Sequence, residues 1–428
     1  MPSHRTHKSS FCLLLLATLT INAFQYENCF AKDPLGKPWQ MHVIDNSSRG
    51  ADGVKLADIN ADGLLDIATG WEEGGLTKVY LHPGHEKAKS AWPAVTIGKT
   101  PNVEDAVFAD LDADGALDVI SCCEGKQQSI FIHWAPKQPQ QLLDPQAWQQ
   151  QILPDSVEKT RWMFAWPMQV DGKNGIDLIA GSKKPNGQIG WYETPANPRD
   201  LENYIWHPIS PAGWVMSLWQ SDMDADGDID IVVTDRYLDN QGCRWLENPG
   251  PCPAQTQPWP SHYLDDRQHE VLSMGLHDWD QDGLEDALVA VKDHKVLFHK
   301  RLDTSGKRWQ THIIPADFNA GNTRAVAVAD LNLDGHQDLA ITTWNAKDLH
   351  GLLWLEAPRP GSTDQWQAHQ ISGTKQGKKF DRLELFDIDG DGDQDLLTCE
   401  EQHNGAGQGL GVIWYENPSA PKKRKTVR

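Results

Sequence analysis

Short apolar and β-branched runs alternate along this chain with tight polar turns. Runs such as LDIATG (65–70), IDIVVT (229–234) and DLLTC (395–399) follow aspartate-rich turns and are too short for helices, so they predict strands entered through hairpins. A second strand type closes on a proline or glycine turn in nearly every case: KVYLHPG, SIFIHWAP, QIGWYETP, CRWLENPG, KVLFHKR, LLWLEAP and VIWYENP. A third starts on an aromatic and ends on Ile or Leu: WQMHVI, WPAVTI, WQQQIL, YIWHPI, WPSHYL, WQTHII and WQAHQI.

The turn glycines Gly63, Gly115, Gly175, Gly227, Gly283, Gly335 and Gly392 recur every 52 to 60 residues. Four strands per repeat and seven repeats predict an all-β fold, a seven-bladed β-propeller with four-stranded blades, over residues 37–418. WQMHVI precedes the first turn, and the seventh repeat stops at Tyr415 and Glu416 without an aromatic strand of its own. The N-terminal strand is therefore expected to complete the last blade.

The turns carry chemistry. An EF-hand loop needs a bidentate glutamate at position 12, where these turns have Thr69, Ser121, Val233, Val289, Ile341 and Thr398, so that motif is excluded. What recurs is a carboxylate or carboxamide at positions 1, 3, 5 and 9 with glycine at 6, oxygen ligands that suit the flexible coordination of calcium. The expected ligands are Asp58, Asn60, Asp62 and Asp66, then Asp110, Asp112, Asp114 and Asp118, then Asp222, Asp224, Asp226 and Asp230. Later repeats supply Asp278, Asp280, Asp282 and Asp286, then Asp330, Asn332, Asp334 and Asp338, then Asp387, Asp389, Asp391 and Asp395. QVDGKNGID offers only Asp171 and Asp177, with its glycine one residue closer to the last carboxylate, so the third blade is expected to lack a tight site. About six structural Ca2+ ions are expected, stapling the hairpins.

The turns DINADGLLD, DLDADGALD, DMDADGDID, DWDQDGLED, DLNLDGHQD and DIDGDGDQD resemble the FG-GAP/VCBS repeats of exported bacterial proteins and of the integrin α-subunit propeller. That resemblance implies a calcium-binding propeller used in adhesion, glycan binding or, less often, catalysis. Endings such as RWLENPG are also similar to the propeller part of aldos-2-ulose dehydratase, although no cupin-like domain follows here.

Composition adds a compartment. Arg5 and Lys8 precede FCLLLLATLTINAF and a small-residue site near Ala31, the plan of a signal peptide over 1–31, with Ala23 an alternative cleavage point. A secreted or periplasmic monomer without a membrane span follows. Much of the formal charge of −21 sits in the aspartate turns, and acidity of this kind disfavours nucleic acid. The basic 419–428 segment reads as a solvated, disordered tail. Export permits disulfides, and Cys243 with Cys252 is the best expected pair.

In an up-and-down blade the aspartate turns share one face, so a binding funnel is expected on the other. The connections there hold Trp71, Glu104, Arg161, Trp162, Trp214, His269, Arg324, Trp344 and Arg382, a mixture of charge and aromatic surface suited to a glycan or cell-surface ligand. If the protein is instead a polysaccharide lyase or sugar dehydratase, His269, Glu270 and Arg324 are its expected acid–base set. The histidines of the aromatic strands, such as His42 and His207, and most of the 19 tryptophans are expected to be packing residues.

Overall fold

The structure is a computed structural model that describes residues 35–250, 254–265, 267–401 and 409–420. The proposed signal segment, most of the basic tail, Cys252 and His403 lie outside the described residues.

Seven four-stranded antiparallel sheets form. Their inner strands are Ala51–Ala57, Val103–Ala109, Arg161–Met168, Val215–Ser221, Val271–His277, Asn322–Ala329 and Phe380–Phe386, which define blades one to seven. Each inner strand packs on the next, and the seventh packs on the first. The first strand, Gln40–Asp45, pairs with the last, Gly411–Glu416, as outer strand of the sheet that also holds Phe380–Phe386 and Asp395–Glu400. The first and last described strands thus share one sheet. Among the described residues no helix is long and apolar enough to cross a membrane.

Apolar faces of adjacent blades meet over fully buried Trp71, Trp134, Trp162, Trp191, Trp245, Trp279 and Trp414. The recurring histidine is part of this packing: His42 lies 4.5 Å from Trp414, His207 4.6 Å from Trp191, His262 4.4 Å from Trp245 and His369 4.1 Å from Trp354, centroid to centroid. Each also hydrogen-bonds a glutamate of the neighbouring strand, Glu416, Glu193, Glu247 and Glu356, at 2.9, 2.9, 2.6 and 2.8 Å. Cys243 is a buried free thiol 3.5 Å from the Met274 sulfur, so the expected pairing with Cys252 gives way to an inter-blade packing role.

The last aspartate of each turn does the same job everywhere. Asp66 accepts the Ile59 N–H at 3.0 Å and the His82 N–H at 2.8 Å, tying the turn to the end of the third strand. Asp118, Asp230, Asp286, Asp338 and Asp395 repeat this pair of bonds. So does Asp177 in blade three, which lacks the other carboxylates of the motif, accepting from Val170 at 2.9 Å and Thr194 at 2.9 Å. The glycine matters because the backbone turns left-handed there, as at Gly63 (φ 85°) and Gly335 (φ 90°), a region that costs a residue with a Cβ.

A second regularity sits at the opposite end of each inner strand. In all seven blades one extra residue interrupts the pairing with the second strand, between Asp52 and Lys55, Val103 and Asp105, Trp162 and Phe164, Val215 and Ser217, Val271 and Met274, Thr323 and Ala325, and Phe380 and Leu383. Bulges of this kind re-aim side chains. Glu104, Met216, Ser273, Arg324, Asp381 and Arg382 all fall within them.

Blade three has the backbone clamp without the other carboxylates of the motif. Asp177→Ala removes two N–H bonds to a buried carboxylate, each bond to a charged acceptor being worth about 1.5–3 kcal/mol, so urea unfolding should show a loss of about 3 kcal/mol. An unchanged midpoint would deny the clamp its structural role.

Candidate binding site in the central channel

The bulges divide the channel into two halves. On the face opposite the aspartate turns, side chains form a network of ion pairs. Lys183 pairs with Glu124 and, at 3.5 Å, with Glu104, and its ammonium lies 4.2 Å from the Trp214 ring centre. Arg236 stands 5.0 Å from Trp214 and 5.8 Å from Trp344, and pairs with Glu270 at 2.6 Å. Glu270 also takes Lys292 at 3.0 Å and the Tyr237 hydroxyl at 2.9 Å. Arg324 meets Asp381 at 2.5 Å, and Lys379 pairs with Glu401.

Burial makes this network proton-rich. Burial pushes Asp52 well above its ordinary value, and the neighbouring Asp381 charge pushes it further. Asp381 goes the other way: burial opposes its charge, but Arg324 and a hydrogen bond from Asp52 hold it well below the carboxylate range. Asp52 thus carries the proton of the pair. Burial raises Glu104 to about 8 against the pull of Lys183, with Glu124 and Glu72 adding to the rise. Asp52, Asp381 and Glu401 stand close enough to share a metal ion, as do Glu72, Glu104 and Glu124, but Arg324, Lys379 and Lys183 already serve as counter-ions.

Several expected ligand contacts do not survive this geometry. Trp71 and Trp162 are fully buried, their indole N–H groups donated to the Tyr80 hydroxyl and the Ser156 carbonyl, so they are core residues. Trp214 and Trp344 remain partly exposed but carry cations over their rings. Arg161 is exposed on the rim. The expected acid–base set is dispersed. Glu270 belongs to Arg236 and Lys292, Arg324 belongs to Asp381, and His269 acts on the buried His299.

Arg382 is different. From blade seven its guanidinium donates to the Met216 carbonyl of blade four at 2.5 Å and sits 4.5 Å from the Phe164 ring, spanning the channel. Beyond it, toward the aspartate turns, lies a cavity of about 620 Å3 lined by inner strands of all seven blades. Its lining reaches Ala57 and His277, which lead directly into the turns, and begins no earlier than the third residue of any inner strand. The recess therefore lies in the half next to the aspartate turns, whereas the sequence pointed to the other face.

The cavity walls combine ring faces with polar groups. Trp166 and Trp219 stand 5.8 Å apart, and Lys55 lies 5.2 Å from the Trp166 ring. Asp105 Oδ1 and Ser273 Oγ line the cavity, are buried, and have no hydrogen-bond partner. Buried polar atoms are almost always paired in folded proteins, so the absence of a partner at both marks this wall of the cavity as exceptional. Burial raises both Asp105 and Glu384, while Lys55 and Arg382 pull each back.

A family model described as an FG-GAP-like repeat matches residues 58–121 and 278–341, in blades one and two and in blades five and six. The chain carries FG-GAP-like repeats on a seven-bladed propeller. No curated protein matches it. Two solved structures of BBS1N in complex with ARL6DN, soaked with mercury and with lead, are 13% and 10% identical to the propeller. Each covers 90% of this chain and 99% of that chain, with TM-scores of 0.47 and 0.49, a likeness too slight to carry an argument.

Glu104 gives the propeller a pH signature. Its carboxyl is raised from 4.5 to about 8, so across that window the folded chain holds a proton that the unfolded chain has released. Stability therefore falls as pH rises through the window. Urea midpoints measured along it should decline, and Glu104→Gln should flatten the decline; an equal slope in the variant would remove Glu104 as a source.

Proposed function

We propose that this propeller is an exported, calcium-stabilised binding module whose central cavity holds a carbohydrate. The observation that carries this reading is the cavity itself, of the size usual for small-ligand sites, with indole faces beside two unpartnered buried polar atoms. Indole rings suit the apolar faces of sugar rings, and Asp105 and Ser273 would take hydroxyls. The charges of the opposite face are already paired with one another and offer less for such a ligand.

The turns fit calcium. Asp222 Oδ1, Asp224 Oδ1, Asp280 Oδ1 and Asp389 Oδ1 are buried without hydrogen-bond partners. In blades two and four, three carboxylates of the turn bring oxygens within 4.8 Å of one another. The six aspartate sets would hold the ion, which would supply charge neutralisation, not chemistry, at the hairpins. Arg199 on Asp112, Lys300 on Asp280 and Lys89 on Asp389 would first have to move aside.

Two measurements test the proposal. A chelator should lower the melting temperature, with added calcium restoring it, and Asp222→Asn should remove about one bound equivalent by calorimetric titration. Glycan-array binding should be lost in Trp166→Ala by at least about tenfold, the scale of about 1.4 kcal/mol of ring stacking. Glycan binding that is indifferent to Trp166 would place the ligand elsewhere.

A further inference from the structure

We infer that the cavity selects an anionic ligand, a sugar acid whose carboxylate is received by Lys55. This rests on the reading of the cavity as a carbohydrate site and narrows it to one class.

Lys55 stands apart from the other lysines around the channel. Lys183, Lys292 and Lys379 each have a carboxylate at ion-pair distance. Lys55 has none within that distance among the described residues, and its ammonium faces the Trp166 ring inside the cavity. A lysine held in a walled recess with no counter-ion offers an open cationic site.

The surrounding charges favour an anion there. The only carboxylates in the lining are Asp105 and Glu384. Burial pushes both toward their neutral forms, while Lys55 and Arg382 are the groups that oppose this. A ligand carboxylate placed at Lys55 would meet a cation that has no ion-pair partner among the described residues, with the Arg382 guanidinium as the second cation of the lining. A cationic ligand would face Lys55 and Arg382 directly.

The remaining features describe the rest of the ligand. Asp105 Oδ1 and Ser273 Oγ present hydrogen-bonding atoms with no partner, suited to hydroxyls. Trp166, under the Lys55 ammonium, offers a face for an apolar ring edge. An anionic group beside a flat, hydroxylated ring is the pattern of a uronic acid.

The test is calorimetric titration of the full calcium-loaded chain with galacturonate and trigalacturonate, beside galactose and galactotriose. The acids should bind at least tenfold more tightly than their neutral counterparts. Lys55→Met should abolish that gap, the acids and their neutral counterparts then binding within about twofold of each other, and Lys55→Arg should retain it. Neutral sugars binding wild type as tightly as the acids would overturn the inference but leave the carbohydrate reading standing. An acid preference that persists in Lys55→Met would overturn the role of Lys55. If neither class binds, the carbohydrate reading falls, and the inference falls with it. If Lys55→Met does not fold, the wild-type comparison still tests the acid preference.

Discussion

The fold depends on a carboxylate buried at the end of each turn and satisfied by backbone. A carboxyl group removed from water is costly unless hydrogen bonds replace its hydration, and two peptide N–H groups offset part of that cost at every one of the seven positions, where burial still raises the group, as at Asp66 to about 6 and Asp395 to about 8. Because one donor belongs to the turn and the other to the end of the third strand, the bond fixes where the inner hairpin sits within its blade. The blade-three turn lacks most of the other carboxylates of the motif yet keeps this aspartate and both of its bonds. Backbone clamping therefore does not depend on the full set of turn carboxylates.

With one end of each inner strand held by the clamp, the bulge at the other end decides what faces the axis. It inserts a residue where the chain leaves the mouth, and Glu104, Arg324, Asp381 and Arg382 occupy those insertions. Charge is thereby concentrated on one side of the channel, where oppositely charged partners from several blades neutralise it. Arg382 crosses to Met216 and separates this saturated network from a recess with unmatched polar atoms. The two halves differ in kind: in one the charges are paired across blades, in the other buried polar atoms stand without partners.

The architecture was legible in the sequence because the aspartate turn recurs in six blades and the aromatic strand in all seven, five of them with its histidine, at nearly constant spacing. The pairing of the first strand with the last followed from which repeat lacked its aromatic strand. The site was less legible for two reasons. Bulges have no signature of their own, so charges in connections such as NVEDA and NTRAV looked like parts of an exposed rim when the chain in fact folds them into the network. Trp71 and Trp162 looked like binding surface only because the partners of their indole groups, Tyr80 and the Ser156 carbonyl, come from other segments. A signal for the cavity was nonetheless present: Lys55 in ADGVKLA and Glu384 in FDRLELF are charges inside strands that must line the axis.

The sheet that joins the first and last described strands also sets an order of assembly. His42 and Glu416, 374 residues apart, hydrogen-bond within one blade, so the first strand synthesised waits for the last. Six blades can form from neighbouring segments as they appear, whereas the seventh draws on the whole length of the chain and is the slow, high-separation step. Until then Gln40–Asp45 is a strand with an unpaired edge, exposed to other chains in the same condition. Quality control of this protein therefore has a single natural checkpoint, the moment at which the beginning of the polypeptide finds its end.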